Sequence, residues 1–457
     1  MDLLNKKVLI VGFGKSGQAA LRYCLLKGAR PAVADLRDKT QLEKSIEPFK
    51  GSPVDWYLGL HDENVFTAAD LIVVSPGIPW RDKALEAARK KGIPVLGEME
   101  LALQDHGLWT MDYGPKTIAV TGTNGKTTTV SLIHHLLTTA GRKSLLAGNV
   151  GKPLLDCLEE AKQSEFLVLE ISSYQMEAIP SLKPDVAVWL NITEDHLDWH
   201  TDFNDYVMAK SKLIQQTAPN GLVIYNGEDD VVSQSVEQIP SSRLMFSTKR
   251  QLKLGGWMEE GGLNLKTKFS GDIFRFALDK VSLKGIHNWE NMLATLLSLS
   301  PYVNDNKLLQ KGLESFTPLP HRMQLVREFK GVTYINDSKG TNVGAALKAI
   351  ASTKPPIVWI AGGKDKGGSY APLRDLLEKK SKKNFLFGEA KQKMAKELKG
   401  CGEIVIVNDL KEAVGEAAKI AISGDTVLFS PACSSFDMFK DYADRGNKFA
   451  ELVASLQ

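Results

Sequence analysis

The chain contains, directly after the apolar run Thr117–Val120, the stretch Thr121-Gly122-Thr123-Asn124-Gly125-Lys126-Thr127. A helical pattern follows from Thr128 to Ala140 and is ended by Gly141. A strand, a glycine turn and a helix in this order point loop N–H groups and the positive end of the helix dipole at phosphate oxygens. The stretch therefore predicts an ATP site, with Lys126 on the outer phosphates and the Thr127 hydroxyl on Mg²⁺.

The same stretch departs from the general phosphate-loop pattern, because Val120 stands where that pattern has its first glycine. What remains is the shorter form G-x-x-G-K-T. An ordinary turn with a solvated lysine could have the same sequence. The flanking strand and helix favour the phosphate loop, because they supply the setting that the motif requires.

Length and composition limit the classes of protein to which the chain can belong. Its 457 residues, 43% of them hydrophobic and 24% charged, predict a globular protein of two to four domains. The formal net charge is only +3 and no basic block dominates, so nucleic acid is not an expected partner. Four scattered cysteines favour a reducing compartment. No apolar run reaches spanning length and the first strand leaves no room for a signal peptide, so we expect a cytoplasmic protein without membrane insertion.

The first part of the chain reads as a dinucleotide-type βαβ unit. An apolar strand from Lys7 leads into Gly12-Phe13-Gly14-Lys15-Ser16-Gly17, and the second strand ends at Asp35. The glycines permit close backbone approach to a diphosphate, and Asp35 is placed to hold a ribose hydroxyl. Arg37 either serves a further phosphate or is simply solvated. We predict a small Rossmann-like domain over residues 1–106.

The middle part, residues 113–317, carries candidate metal ligands. A buried-type strand ends on Glu170, and an acid beside a phosphate loop is a usual magnesium ligand. His196 lies among carboxylates in a loop after another strand, where its spacing fits a metal ligand, a base or a plain loop histidine equally well. Lys210, on a helix, reads on its own as a solvated charge.

The last part, residues 318–457, alternates strands and helices and predicts a parallel doubly wound sheet. Ligands of such sheets bind at the carboxyl ends of the strands. The loops expected there are Asp337–Asn342, Gly362–Gly368 and Ser430–Phe436. Their small and cationic residues suit an acidic ligand.

The fold class is therefore α/β with three domains: an N-terminal Rossmann-like domain, a central phosphate-loop mononucleotide-binding domain and a C-terminal Rossmann-like domain. Such a chain suits a reaction of several substrates. An ATP-dependent ligase fits, in which ATP phosphorylates a carboxylate and an amine attacks the acyl phosphate.

The whole chain resembles the muramyl ligase family of peptidoglycan synthesis. The matching stretches are Thr121–Thr127, Leu169–Gln175, Asn191–His196, Gly285–Asn288 and His321–Arg322. The N-terminal glycine-rich fold, Asp337–Asn342 and Ser430–Ser435 are most similar to members that add D-glutamate to UDP-N-acetylmuramoyl-L-alanine. The resemblance implies these two substrates with ATP, and we expect a monomer. The chain departs from the family pattern at Lys364, which replaces an acid.

The resemblance also implies the role of individual residues. ATP contacts are implied for Gly122, Asn124, Gly125, Lys126, Thr127, Thr128, Asn288, Asn291, Arg322 and Asp337. Two Mg²⁺ sites are implied for Thr127, Glu170, His196 and Lys210. Lys126, His196 and Lys210 would be catalytic, and Lys210 would be carbamylated by CO₂, which turns its cation into a metal-binding anion.

The remaining implied residues bind the other two substrates. The uridine diphosphate cradle would consist of Lys15, Ser16, Leu36, Arg37, Ser75 and Gly77. The rest of that substrate would contact Asn149, Ser172 and Gln175. The D-glutamate pocket would consist of Lys339, Thr341, Lys366, Ser435, Phe436 and Tyr442.

Other functions fit parts of the sequence. A muramyl ligase that adds another amino acid would share most of these stretches. A nicotinamide-dependent oxidoreductase would account for the glycine turn and Asp35, but it leaves the phosphate loop unexplained. A non-catalytic regulator that uses ATP as a switch would need fewer metal ligands than Glu170 and His196 suggest.

Overall fold

The computed structural model describes residues 1–105, 114–197 and 199–457. Within these residues the strands form three sheets with helices packed on them. The expected three α/β domains are thereby confirmed. The predicted domain limits at residues 106 and 113 lie outside the described residues, and the domain boundaries remain predictions. No helix in the described ranges combines the length and apolarity that a membrane span requires.

The first sheet is parallel, with the strand order β3-β2-β1-β4-β5. Its strands are β1 Lys7–Val11, β2 Arg30–Asp35, β3 Asp55–Leu58, β4 Leu71–Val74 and β5 Val95–Gly97. Its helices are α1 Lys15–Leu26, α2 Lys39–Ile46, α3 Glu63–Phe66, α4 Lys83–Lys90 and α5 Glu98–Leu103. Strand β3 is not predicted by the sequence, because this edge strand is only four residues long and half-exposed.

The second sheet has the order β14-β13-β12-β11-β10-β9-β6-β8-β7 and is antiparallel only at β12-β13-β14. Its strands are β6 Lys116–Thr121, β7 Ser144–Gly148, β8 Phe166–Glu170, β9 Val186–Trp189, β10 Leu222–Asn226, β11 Ser242–Ser247, β12 Gly255–Glu259, β13 Gly262–Lys266 and β14 Phe274–Ala277. The helices of this region are α6 Lys126–Thr139, α7 Leu158–Lys162, α8 Ser173–Met176, α9 Phe203–Gln215, α10 Asp230–Val236, α11 Ile286–Leu299 and α12 Asn306–Ser315. The pairing of β6 with β8 sets Val120 opposite Glu170, which brings the predicted phosphate loop and the predicted acid to one edge.

The third sheet has the order β15-β16-β20-β17-β18-β19. Its strands are β15 Gln324–Phe329, β16 Val332–Asn336, β17 Ile357–Gly362, β18 Ser381–Phe387, β19 Glu403–Ile406 and β20 Thr426–Phe429. Its helices are α13 Val343–Ser352, α14 Arg374–Lys380, α15 Lys391–Glu397, α16 Leu410–Ile420 and α17 Tyr442–Ala454. The prediction of a wholly parallel sheet is wrong at β15, which is antiparallel to β16. Lys330 and Gly331 make that hairpin turn with positive φ values of 52° and 78°.

Cα packing divides the chain into two compact units. The first unit comprises Met1–Ile192, Val207–Val281 and Trp289–Ser315. The second unit comprises Thr193–Tyr206, Ser282–Asn288 and Phe316–Gln457. The first and second sheets thus belong to the first unit, and the third sheet belongs to the second unit.

Within the first unit, polar contacts join the first sheet region to the second. The Gly97 N–H donates to Ala178 O at 2.8 Å, and the Leu155 N–H donates to Glu98 Oε1 at 2.7 Å. The donors and acceptors of both bonds are buried. These bonds therefore hold the carboxyl end of β5 against the second sheet region.

Glu98 gives this junction a pH dependence. Burial raises the pKa of its carboxyl from 4.5 to about 7, against the lowering effect of the Leu155 N–H. The folded protein therefore binds the proton more tightly than the unfolded chain does. The contribution of this proton to the free energy of unfolding is complete below pH 4.5 and is lost as the pH rises through 7. The total loss is about 3 kcal/mol.

We expect Glu98→Gln to flatten this pH dependence, because the amide stays neutral and still offers an oxygen to Leu155. The measurement is the melting temperature of both proteins between pH 5 and 8.5. The exposed Glu43→Gln serves as the control and should follow the parent. If the melting temperatures of the parent and of Glu98→Gln changed with pH in the same way, the raised pKa of Glu98 would be contradicted.

Candidate active site

The phosphate-loop stretch forms the turn between β6 and α6. Gly122 and Gly125 take φ values of 148° and 89°, in the region that favours glycine. A Cβ built on Gly125 would lie 2.3 Å from Asn291 Oδ1, so a side chain there would displace the Asn291 amide. Helix α6 begins at Lys126, two residues earlier than the sequence pattern indicates, and its first N–H groups face the turn.

Two lysines converge on this turn. Lys126 Nζ donates to Gly122 O at 2.7 Å and to Thr123 O at 2.9 Å. Lys210 Nζ donates to the same Gly122 O at 3.0 Å, and its side chain is only 1% exposed. The prediction of Lys210 as a solvated charge, made from the helix pattern alone, is therefore wrong.

Glu170 lies at the end of β8, beside the turn, and is 2% exposed. Its Oε1 accepts a hydrogen bond from Asn149 Nδ2 at 2.8 Å, whereas its buried Oε2 has no hydrogen-bond partner among the residues that the structure describes. A buried carboxylate oxygen without a partner is unfavourable unless a cation meets it. The site therefore fits a metal ion at Glu170 with the buried Thr127 hydroxyl nearby in the turn.

The donor set suits Mg²⁺ in particular. Among residues 1–105, 114–197 and 199–457, no group of three or more His, Cys, Asp or Glu is arranged to hold a metal ion. Mg²⁺ needs few protein ligands, since it keeps several waters and binds phosphate oxygens of its substrate. One carboxylate and one hydroxyl beside a phosphate loop match that preference.

The glycine turn after β1 is tightly built. A Cβ on Gly17 would lie 2.1 Å from Gly12 O, so the first turn of α1 packs directly on the loop. The Phe13 N–H donates to Asp35 Oδ2 at 2.7 Å, and the Arg37 guanidinium donates to both Asp35 oxygens at 2.9 and 2.7 Å. Asp35 thus stabilises the loop through both of its carboxylate oxygens. These oxygens are therefore less available to a ribose hydroxyl than the sequence motif predicts.

A pocket of about 380 Å³ in the first unit lies between this edge and the second sheet. Its lining includes Ser75, Glu98, Tyr174 and Gln175. Ser75 Oγ donates to Gly12 O at 2.7 Å, and Ser172 and Gln175 form a capping box at the start of α8. One residue predicted for each end of the nucleotide-linked substrate, Ser75 and Gln175, therefore lines the same cavity.

In the second unit, three loops lie at the carboxyl ends of β16, β17 and β20, as the sequence predicts. Asp337, in the first loop, accepts hydrogen bonds from Ser430 Oγ at 2.7 Å and from the Met323 N–H at 3.2 Å. Burial raises the pKa of Asp337 to about 6, although these bonds and nearby arginines oppose the shift. Lys339 Nζ lies 3.8 Å from the ring centroid of Tyr442.

Asp195 forms the charged centre of a second pocket. Its carboxylate lies 3.1 Å from Lys366 Nζ, 2.7 Å from Asn342 Nδ2 and 3.5 Å from His196 Nε2. Burial alone would raise the pKa of Asp195. The charges of Lys366 and His196 and the two hydrogen bonds outweigh it and lower that pKa to about 2. Asp195 therefore stays ionised and holds Lys366 in place.

Arg445, on α17, is a residue that the sequence analysis misses. Its guanidinium is fully buried and donates to Ser338 O at 2.9 Å, to Cys433 O at 3.1 Å and to Ser434 O at 3.1 Å. It thereby ties the loop after β16 to the loop after β20. The only signal in the sequence is an arginine within an otherwise amphipathic helix, which does not distinguish a buried side chain from a solvated one.

Cys433 is not a nucleophile in this arrangement. Its thiol is buried, lies 3.1 Å from Tyr370 Oη and 3.8 Å from Met394 Sδ, and burial raises its pKa to about 12. The thiolate is the reactive form, so a thiol with so high a pKa is inert.

The predicted residues divide between the two units. The first unit holds Lys15, Ser16, Leu36, Arg37, Ser75, Gly77, Gly122, Asn124, Gly125, Lys126, Thr127, Thr128, Asn149, Glu170, Ser172, Gln175, Lys210 and Asn291. The second unit holds His196, Asn288, Arg322, Asp337, Lys339, Thr341, Lys366, Ser435, Phe436 and Tyr442. Their assignment to particular ligands remains a prediction.

Comparison with known protein families matches the chain along its length. Residues 6–97 match the Mur ligase MurD-like N-terminal domain, residues 120–299 the Mur ligase middle domain, and residues 321–433 the Mur ligase glutamate ligase domain. The chain belongs to the Mur ligase family. The family resemblance and the predicted ATP-dependent ligase class are thereby confirmed, and the phosphate loop and Glu170 are features of its middle domain.

Individual Mur ligases are similar to the chain from end to end. The UDP-N-acetylmuramoylalanine–D-glutamate ligase of Geobacter metallireducens is 40% identical over 456 residues, covering 100% of this chain and 99% of its own. The enzyme of the same name from Koribacter versatilis is 38% identical, again over 100% of this chain and 99% of its own.

Solved structures show the same fold at much lower identity. A pseudomurein peptide ligase type C from Methanothermus fervidus is 17% identical, covers 99% of this chain and 100% of its own, and has a TM-score of 0.61. The UDP-N-acetylmuramate–alanine ligase of Thermotoga maritima is 17% identical with the same coverage and a TM-score of 0.59.

We expect Glu170→Gln to weaken Mg²⁺ binding by about tenfold or more, because the change removes the negative charge of the unpaired Oε2. The measurement is titration of Mn²⁺ in the presence of ADP, followed by electron paramagnetic resonance. Glu160→Gln, on the exposed surface of the same domain, is the matched control. Equal affinities in the two variants would exclude Glu170 as a ligand.

Proposed function

We propose that this chain is the ligase that adds D-glutamate to UDP-N-acetylmuramoyl-L-alanine at the expense of ATP, in the synthesis of peptidoglycan precursors. The observation that carries the proposal is the similarity, over the full length, to ligases of that name. The geometry of both units supports it, since the first carries a phosphate loop with an acidic partner and the second carries a polar pocket whose lining includes Lys366, Asn342 and Asp195.

The first step is phosphoryl transfer. An oxygen of the alanine carboxylate attacks the γ-phosphorus of ATP, ADP leaves, and an acyl phosphate forms. Lys126 and the first N–H groups of α6 would bind the phosphates and neutralise the charge that develops on them. Lys126 now binds carbonyl oxygens of its own turn, so its ammonium exchanges those bonds for phosphate oxygens when ATP binds.

The second step forms the amide. The amine of D-glutamate attacks the acyl carbon, a tetrahedral intermediate forms, and inorganic phosphate leaves while the amine loses its proton to solvent. The loops of the third sheet would bind the amino acid by its carboxylates. Lys366 supports this role, because its ammonium already binds a carboxylate, that of Asp195.

Glu170 and Thr127 would hold Mg²⁺, with His196 and Lys210 proposed for a second ion. Mg²⁺ supplies a positive charge that stabilises the phosphoryl group during its transfer. Lys210 would carry a carboxyl group from CO₂, formed by attack of its neutral amine on carbon with loss of a proton. Burial supports this, because a buried ammonium is disfavoured and a lysine changes its protonation readily when desolvated.

We further propose a monomer that acts in the cytoplasm. The balanced charge and the scattered, buried free thiols of the four cysteines support a reducing compartment. The oxidoreductase alternative has lost its main support, because the Asp35 carboxylate is engaged by Phe13 and Arg37 inside its own loop.

The proposed function predicts ADP release from ATP that requires both UDP-N-acetylmuramoyl-L-alanine and D-glutamate. A coupled ADP assay with a panel of amino acids measures this. D-Glutamate should give the highest kcat/KM in the panel, with L-glutamate and the diamino acids near background. Release with another amino acid and not with D-glutamate would overturn the specificity. Release that needs no carboxylate substrate would favour an ATP-driven regulator.

The role proposed for Lys210 predicts that Lys210→Ala lowers turnover by about a hundredfold or more, because an anionic ligand is lost. Added formate or acetate should restore part of the activity, which a purely structural lysine would not allow. The control is Lys212→Ala, a half-exposed lysine on the same helix, which should keep the parent turnover. Unchanged turnover in Lys210→Ala would refute the role.

A further inference from the structure

Two loops of the second unit face the same pocket. We call residues Gly362–Gly368 the glycine loop and residues Ser430–Phe436 the serine loop. The glycine loop carries Lys366, and the serine loop carries Ser435 and Phe436. Their backbones pair at two places: the Gly362 N–H donates to Pro431 O at 2.9 Å, and Lys364 and Ser434 exchange N–H to carbonyl bonds at 2.9 and 3.2 Å.

Tyr370 lies behind this pair of loops and is only 2% exposed. Its hydroxyl donates to Asp365 Oδ1, in the glycine loop, at 2.9 Å. The same oxygen lies 3.1 Å from Cys433 Sγ, in the serine loop. One side-chain oxygen therefore joins the two loops at a point away from their backbone pairing.

The other end of Asp365 is also fixed. Lys393, on α15, donates to Asp365 Oδ2 at 2.9 Å and to Gly368 O at 2.8 Å. The Gly367 N–H donates to Asp365 Oδ1 at 3.3 Å. Asp365 is thus held on both oxygens, and Lys366, the next residue, has little freedom to change its direction.

The same tyrosine forms part of the pocket. Its lining includes Tyr370 together with Asp195, Asn342, Lys366 and Ala432, in a volume of about 320 Å³. Any change in the spacing of the two loops therefore alters the distance between Lys366 and the serine loop. A ligand that spans the pocket with two charged groups is sensitive to that distance.

We propose that Tyr370 is a positioning residue whose hydroxyl fixes the spacing of the glycine and serine loops and thereby sets the affinity for the amino-acid substrate. The inference rests on the proposed function in one respect, namely that the amino acid binds at these loops. Nothing in the phosphate loop depends on it, so the affinities for ATP and for the nucleotide-linked substrate are expected to be independent of Tyr370.

The test is Tyr370→Phe, which keeps the ring and removes only the oxygen. The matched control is Tyr334→Phe, since Tyr334 is a buried tyrosine on β16 that packs in the core cluster with Val358 and Phe429. We expect Tyr370→Phe to raise KM for D-glutamate about three- to tenfold, the effect of one lost hydrogen bond. The KM values for the other two substrates should stay within about twofold of the parent.

A second readout is independent of activity. Hydrogen exchange, followed by mass spectrometry, should become faster in peptides of both loops in Tyr370→Phe and stay unchanged there in Tyr334→Phe. If another amino acid proves to be the substrate, the proposed function fails and KM is measured for that amino acid instead. Unchanged exchange in the loops, or an unchanged KM for the amino acid, would overturn the role of Tyr370.

Discussion

The site of the first unit depends on one carbonyl oxygen, that of Gly122, which accepts hydrogen bonds from the side chains of both Lys126 and Lys210. The glycine turn can bring its carbonyl there only because φ at Gly122 and Gly125 lies where side chains are strained. Lys126 reaches the oxygen from the first turn of α6, and Lys210 reaches it from α9. The Lys126 ammonium at a turn built for anions favours the binding of phosphate, and Glu170 adds a carboxylate oxygen for the metal that accompanies it.

Much of this could be predicted from the sequence, because the signals are local. A phosphate loop is a strand, a turn and a helix in one continuous stretch, and Glu170 follows from a fully apolar strand that must be buried. The loops at the carboxyl ends of β16, β17 and β20 follow from the alternation of strands and helices. Family resemblance then identified the class of enzyme, which the comparisons confirm.

The rest could not be predicted, because it depends on contacts between distant residues. Arg445 and Tyr370 read as ordinary members of their helices and loops, yet each joins two loops that are far apart in the sequence. Burial against the second sheet region is the main cause of the raised pKa of Glu98, about 7. Asp35 fits a ribose-binding motif, but its contacts with Phe13 and Arg37 are visible only in three dimensions. The edge strand β15 could not be predicted, because a half-exposed strand has only a weak pattern of apolar residues in the sequence.

The central claim is that ATP activates the carboxylate of the alanyl substrate before the amine attacks. The most direct measurement uses UDP-N-acetylmuramoyl-L-alanine labelled with ¹⁸O in both carboxylate oxygens, incubated with ATP and D-glutamate, with mass spectrometry of the released phosphate. An acyl phosphate delivers one carboxylate oxygen to phosphate when the amide forms. The account predicts one ¹⁸O atom in each inorganic phosphate, and phosphate without label would contradict it.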